Sequence, residues 1–391
     1  MAAASQPGLV PFDSIAAATP FWQALQEGGV TTPFQRLDWI AAWCRHASPA
    51  LGETPLFVGL AGERGEPALL FPFGVVRQNG LRVARWLGGD HANFNLGLIG
   101  PSPAAAMAPA AMQRLLRDAG QRAGVDVFLL ERMPRRWDGI SHPLATLPGT
   151  FPSVDQGFRG PLGPDGEAVI QSRYSSASRR TVRKKEQRLA EHGEIRIVHA
   201  RTPAEAGRLL DAYLAEKAKW FRERGIDDPF AAPGVHDFLL AAALAGMSAG
   251  HPAIDLYGYE VGGRLLAVTG GAAHAGRFSM MFTGIADDEL TRFSPGEQLS
   301  LAVVADLCAR GFHTVDFGVG DTAYKHRLCP EEETLFDVAV AVSAKGRAAA
   351  AAWTGLRRLR REAKRSPRIR AAVERLRRLK ARASGAKGGE D

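Results

Sequence analysis

The segment DFGVGDTAYK, residues 316–325, combines the end of a short hydrophobic strand with two glycines and four polar side chains: Asp316, Asp321, Tyr324 and Lys325. Glycines at that spacing permit sharp turns and close approach of a ligand to the backbone. A polar cluster at the carboxyl end of a strand often faces a cleft. Spacing alone favours a plainer reading, a surface loop with an Asp321–Lys325 ion pair that adds little to stability.

Just upstream, residues 294–310 read as a helix opening on Ser294-Pro295-Gly296-Glu297. A serine N-cap, a proline at the first helical position and a glutamate three residues after the cap make a capping box. A helix start that follows a strand and a loop also offers backbone N–H groups to a diphosphate, with Glu297 competing for the same positive end. Capping is the favoured role. Further upstream the pattern gives a strand at 277–286, a hairpin at 254–272 around Gly262-Gly263, and a helix at 235–245. A helix at 203–224, a strand at 194–199 and a helix at 172–192 stopped by Gly193 come before these. This alternation predicts a mixed α/β sheet.

The same order occurs earlier in the chain. Leu37, Ile40, Ala41 and Cys44 fall at helical spacing, and residues 56–76 read as two strands joined by a glycine-containing turn. The pieces VGLAGERGEPALLFPFG and YGYEVGGRLLAVTGGA align, which suggests two related lobes. Residues 101–111 read as a loop leading into a helix at 112–119, and the Pro- and Gly-rich stretch 148–166 reads as a linker or an exposed loop. The expected organisation is a first lobe over 1–160, a second over 161–345 and a tail over 346–391.

The chain has 391 residues, 46% of them hydrophobic, enough for a substantial core. Its formal charge of +8 is unevenly placed. Residues 357–391 carry 14 bases and 4 acids, leaving 35 bases against 37 acids in the body. A near-neutral body with a basic tail points to a localised anionic partner. Cys44, Cys308 and Cys329 lack disulfide or metal-ligand spacing, and His91 and His274 have no second ligand nearby in sequence, so no metal is expected. The first twenty residues hold one acid and no base, and the longest apolar run, at 238–247, is about half of a membrane span. A cytoplasmic location is expected.

The order of elements, the run fDfGxGDxxYK, the basic helix SRRTVRKKEQRLAEHG and the SPGEQL helix start resemble the GNAT-type acyltransferases of the CelD-like and BioF-like kind, relatives of the Fem peptidyltransferases. The resemblance covers roughly residues 172–340. It implies two GNAT-like lobes with mixed, mainly antiparallel sheets flanked by helices, plus a basic helical tail. It also implies acyl transfer from acyl-CoA, acetyl-CoA foremost, to an amine. In that reading a backbone N–H on the strand near Ser279–Ile285 polarises the thioester carbonyl, and Phe282, Thr283 and Gly284 lie along the cofactor. Asp316 or Asp321 serves as base, Tyr324 as acid, and Lys325 as a positive group near the oxyanion or a substrate phosphate. The usual glycine-rich phosphate loop is replaced by DDELTRFSPG, residues 287–296, in which Arg292, Ser294 and Gly296 are the candidates for CoA contacts.

Arg180, Arg183 and Lys184 sit in a run with only Glu186 opposing them; a solvated face and contact with substrate phosphates are both open readings. No aromatic residues are interleaved for base stacking, so nucleic acid is not expected. In the tail, Ile369, Val373 and Leu376 recur at helical spacing among arginines, which suits attachment to an anionic membrane surface. Arg361, Arg365 and Arg368 could alternatively bind a cyclic dinucleotide such as cyclic di-GMP. The expected acceptor is an amino sugar of an envelope or holdfast-type exopolysaccharide, still lipid-linked, at the inner membrane face. Acylation of a sphingoid amine, or a noncatalytic effector, are the rivals.

Overall fold

The computed structural model describes residues 8–102, 105–320 and 323–366. The chain forms two compact units that are not contiguous in sequence. The first takes the chain up to Phe158 and takes it back from Glu332 to Arg358; the second is built on Arg159–Phe317 and the segment ending at Glu331.

The first unit begins with β1 (Gly8–Phe12), α1 (Ile15–Gly28), the short β2 (Val30–Thr31) and α2 (Leu37–Ala50). There follow β3 (Thr54–Ala61), β4 (Pro67–Gln78), β5 (Leu81–Trp86), the short β6 (Leu98–Ile99), α3 (Pro109–Arg122) and β7 (Val127–Pro134). The two-residue strands β8 (Arg136–Trp137), β9 (Ile140–Ser141) and β10 (Phe151–Pro152) come next. The second unit supplies β11 (Gly157–Pro161), α4 (Gly166–Arg173), α5 (Ser176–Ala190), β12 (Ile195–His199), α6 (Pro203–Arg224) and α7 (Val235–Leu244). It continues with β13 (Asp255–Val261), β14 (Arg264–His274), β15 (Arg277–Ile285), α8 (Pro295–Ala309), β16 (Thr314–Val319), α9 (Ala323–Leu328) and β17 (Glu331–Glu333). The chain closes with β18 (Leu335–Ala341) and α10 (Ala344–Arg365).

One design occurs twice. In the first unit β3, β4 and β5 pair antiparallel, and β5 pairs parallel with β7 after the α3 crossover. In the second, β13, β14 and β15 pair antiparallel, and β15 pairs parallel with β16 after the α8 crossover. The sheet orders are β1-β3-β4-β5-β7-β18-β10 and β12-β13-β14-β15-β16-β11-β17. Parallel neighbours need a helix between them, whereas the antiparallel ones need only a tight turn such as Gly262-Gly263, whose φ values are 55° and 80°.

Local chemistry fixes most element ends. α6 starts on a capping box between Thr202 and Glu205 and ends at Gly225 in the left-handed region. Residues 172–192 are not one helix. Tyr174 is extended, and the Ser175 hydroxyl accepts the Ser178 N–H, so α4 ends and α5 begins anew. The core of the first unit is aromatic: Trp22, Phe34, Trp39, Phe71, Phe73 and Phe94 are fully buried. Each such side chain contributes on the order of 2–3 kcal/mol by leaving water.

The sequence-based division is corrected at two places. Residues 148–166 are not only a linker, since they contain β10 and β11, each paired within a sheet. Residues 335–358 do not belong to the second lobe or to a free tail: β18 pairs with β7, and Arg357 on α10 binds Asp337 at 2.7 Å and Glu131 at 2.7 Å.

Candidate active site

The second unit's sheet is broken where β15 meets its two neighbours. Opposite β14, Gly270 pairs with Phe282 and Gly271 with Met280, so Met281 is an extra residue without a partner. On the other side the parallel pairing with β16 covers only Arg277–Ser279 against Thr314–Asp316. Beyond Ser279 the two strands part. A bulge leaves backbone groups out of the ladder, and here it lies where the neighbouring strand has moved away.

A hollow of about 250 Å³ occupies this opening, lined by Met280, Met281, Phe282 and Thr283 in succession, with Phe317 and Lys325 opposite. Side chains alternate between faces of a strand, so four consecutive lining residues mean that the hollow meets the strand's edge. Tyr213, Lys217 and Phe221 of α6 complete the wall. Tyr213 stacks on Phe282 with ring centroids 4.2 Å apart, and its hydroxyl is buried without a hydrogen-bond partner. Burial raises the Tyr213 pKa, helped by the nearby Asp228 carboxylate. Burial lowers the Lys217 pKa, reinforced by Arg224. Lys325, on α9, is 8% exposed.

A second hollow, about 600 Å³, adjoins the first through Thr283. It lies over the strand face carrying Thr283 and Ile285, and the start of α8 forms its end with Ser294, Gly296 and Glu297. Gly296 lets the helix approach β15 closely, because a Cβ there would meet the Ile285 side chain at 2.8 Å. Arg327 binds Glu297 at 3.0 Å and lies over the Tyr174 ring at 4.8 Å. The Tyr174 hydroxyl donates to Glu297 at 3.2 Å, and burial, then Glu297, push its pKa up to about 12. Lys185 donates to the Ser294 hydroxyl at 2.8 Å. Cations therefore surround the one carboxylate at this helix start.

The capping box expected at Ser294 does not form. Ser294 has φ 58°, its side chain makes no cap, and Glu297 turns to Arg327 and Tyr174 instead. Asp316 is corrected as well. It is fully buried, its carboxylate takes Arg277 at 2.9 Å and the Ser279 hydroxyl at 2.5 Å, and it lines neither hollow. A carboxylate held this way is an internal anion, not a base facing a cleft. Gly318 and Gly320 do take positive φ, 68° and 101°. Asp321 and the Tyr324 side chain lie outside the described residues.

Of the expected cofactor contacts, Thr283 lines both hollows, Ser294 and Gly296 line the larger, and Phe282 lines the smaller. Gly284 instead packs under Tyr213, where a Cβ would stand 2.8 Å from the ring. Arg292 is exposed, stacks on Phe293 at 4.9 Å and lines neither hollow. On α5, Arg180 and Lys184 are exposed and Arg183 pairs with Glu167 at 3.4 Å, so none of the three reaches these hollows. Arg361 pairs with Glu362 at 3.5 Å; the Arg365 side chain and Arg368 lie outside the described residues.

Sequence reasoning missed Tyr213, Lys217, Tyr174 and Arg327. A signal for the first two was present: Tyr213, Lys217 and Phe221 stand at i, i+4 and i+8 on one face of α6. Tyr174 and Arg327, 153 residues apart, had none. Among the described residues no group of His, Cys, Asp and Glu is placed to hold a metal, and no helix is long and apolar enough to cross a membrane.

Residues 176–326 match the acetyltransferase (GNAT) domain family. The structure is similar to that of FemX, with a TM-score of 0.57 at 9% identity, covering 84% of this chain and 96% of that one. It is also similar to a conserved protein of unknown function from Bacteroides thetaiotaomicron, with a TM-score of 0.51 at 11% identity over 86% and 100% of the two chains. A third likeness is to the C-terminal domain of a protein described as a lysylphosphatidylglycerol synthetase from Agrobacterium fabrum: TM-score 0.50, 11% identity, 87% of this chain and 95% of that one. No curated protein sequence matches the chain. The chain thus folds as two sheet-rich α/β lobes, and within the second of them residues 176–326 carry the match to the GNAT acetyltransferase domain.

Proposed function

We propose that the chain is an acyl-CoA-dependent N-acyltransferase, acetyl-CoA foremost, that acts on an amino sugar of an envelope exopolysaccharide. The observation that carries the reaction class is the bulge at Met281, which frees backbone polar groups on the strand edge facing the smaller hollow. A fixed N–H aimed at a carbonyl oxygen stabilises the charge that builds up there during acyl transfer, and it needs no rearrangement at that moment.

Acyl-CoA supplies the acyl group as a thioester when bound. The residues present fit it. Ile285, Leu328 and Thr283 give the larger hollow an apolar wall, while Gly296, Arg327 and Lys185 bring a helix start and two cations to its end. Lys325 sets a positive charge beside the bulge. With Asp316 committed to Arg277, the base role among the expected carboxylates falls to Asp321 and the acid role to Tyr324. The amino-sugar acceptor and a peripheral position at the inner membrane face rest on the bases of α5 and of residues 357–391, to which a lipid-linked acceptor and anionic lipid carry the complementary charge. Binding of a cyclic dinucleotide to Arg361, Arg365 and Arg368 of the tail is the alternative reading of those charges.

Calorimetry with acetyl-CoA, palmitoyl-CoA and a lysyl-tRNA donor tests the reading. Selective binding of acetyl-CoA supports it, a preference for palmitoyl-CoA moves the acceptor to a sphingoid-type amine, and binding of neither CoA ester defeats it. Selective binding of the lysyl donor would replace it with aminoacyl transfer, the possibility that the names of the two similar proteins raise.

A further inference from the structure

The smaller hollow has a charge pattern that acyl transfer as such does not require. Two lysines, Lys217 and Lys325, line it from different elements, and among the described residues its lining holds no carboxylate or histidine. Lys217 is half-buried and makes no ion pair among the described residues; its ammonium lies 5.2 Å from the centre of the Trp220 ring and 6.0 Å from that of Tyr213. The nearest acid in charge terms, Asp228, already accepts the Phe230 N–H at 2.9 Å as the cap of a short helical turn. Arg224, the other charge acting on Lys217, lies over the Trp220 ring at 4.3 Å. Alongside stands the Tyr213 hydroxyl, a donor buried with nothing to donate to. A lysine on an aromatic wall next to an unused hydroxyl is a costly arrangement unless an anion enters to satisfy both.

We infer that Lys217 and Tyr213 form an anion-recognition point, and that the acceptor is an amine carrying its own phosphate or carboxylate, held in this hollow beside the Met281 bulge. The inference rests on the acyltransferase reading and sharpens it by naming the class of acceptor. It also moves the substrate anion from α5, where Arg180, Arg183 and Lys184 face solvent, to α6. A positive hollow serves the chemistry too. Nearby cations disfavour the ammonium form of an entering amine, so more of it is present as the neutral nucleophile.

The test pairs glucosamine 6-phosphate with glucosamine as acceptors, and inorganic phosphate as a probe of binding alone. Three proteins are compared: wild type, Lys217→Met, which keeps an unbranched stem one atom shorter and removes the charge, and Lys217→Arg, which keeps the charge. The expected result is a preference of about tenfold in kcat/KM for the phosphorylated amine in wild type, as one charge-assisted hydrogen bond supplies. That preference should collapse to near unity in Lys217→Met and return in part in Lys217→Arg. Inorganic phosphate should bind wild type and lose about tenfold in Lys217→Met, whatever the turnover. Acetyl-CoA binding, measured on the same samples, should be the same in all three. Equal use of the two amines by wild type, or phosphate binding that is absent or indifferent to Lys217→Met, overturns the inference while acetyl-CoA binding leaves the reaction class standing. Loss of acetyl-CoA binding by wild type itself marks failure of the acyltransferase reading instead.

Discussion

Replacing Asp316 by Asn should act on the stability of this protein and not on its catalysis. The carboxylate is fully buried, and its Arg277 partner, 2.9 Å away, is 1% exposed. Asparagine keeps the shape and an acceptor for the Ser279 hydroxyl, so the change isolates the charge. Removing one member of such a pair strands the other in a medium that solvates it poorly, at a cost of about 3–5 kcal/mol. For a unit of this size each kcal/mol lowers Tm by roughly 2–4 °C, so a fall on the order of 10 °C is expected by differential scanning calorimetry. An Arg277→Met, Asp316→Leu double variant removes both charges and should recover much of that loss, since apolar replacement of a whole buried pair is often close to neutral. The single variants Arg277→Met and Asp316→Leu complete a double-mutant cycle with it and give the coupling. Unchanged Tm in Asp316→Asn together with a loss of turnover of a hundredfold or more would refute the argument and return Asp316 to the position of a base.

Other expectations follow from the same kind of reasoning. His142 is fixed as a neutral ring, donating through Nε2 to the Asn95 carbonyl at 3.1 Å and accepting the Leu144 N–H on Nδ1 at 3.0 Å, and burial lowers its pKa to about 3. The folded value lies below the ordinary one, so the contribution is intact above about pH 6.5 and is lost as pH falls toward 3. Urea denaturation should show about 2 kcal/mol less stability at pH 5 than at pH 7 from this group, a step absent in His142→Gln. Arg357→Ala leaves the fully buried Asp337 without its cation and should cost about 3–5 kcal/mol, read as a lowered urea midpoint. Arg327→Met should weaken acyl-CoA binding about tenfold by calorimetry with Tm nearly unchanged, because Arg327 is 47% exposed and its value lies in meeting an anion.

Much of the second unit was legible in its sequence. The helix at 203–224 has Thr, Pro and Glu at its start and Gly at its end, and α6 runs between the same residues. Hairpins were readable because turn glycines punctuate hydrophobic runs, as at Gly262-Gly263. Other features rest on contacts between distant residues. A capping box at Ser294 satisfies every local rule, yet Arg327 and Tyr174 offer Glu297 partners that no local pattern reveals. Asp316 looked like a site residue because it is polar near glycines, while the partner that explains it, Arg277, lies 39 residues away on the adjoining strand. The bulge is invisible in sequence for a related reason. Met280-Met281-Phe282 continues a strand pattern, and only the register against Gly270 and Gly271 shows the extra residue.

The return of β18 to β7 has a consequence for synthesis. A chain emerging from the ribosome delivers β7 near residue 130, but its neighbour β18 arrives some two hundred residues later. Until then one long side of a hydrophobic strand stays open, able to pair with the wrong segment or with another nascent chain. The unit that begins first therefore finishes last. A gene cut near residue 160 would express two fragments of which the earlier one lacks its closing strand, and co-expression of residues 332–391 should be needed to keep that fragment in solution.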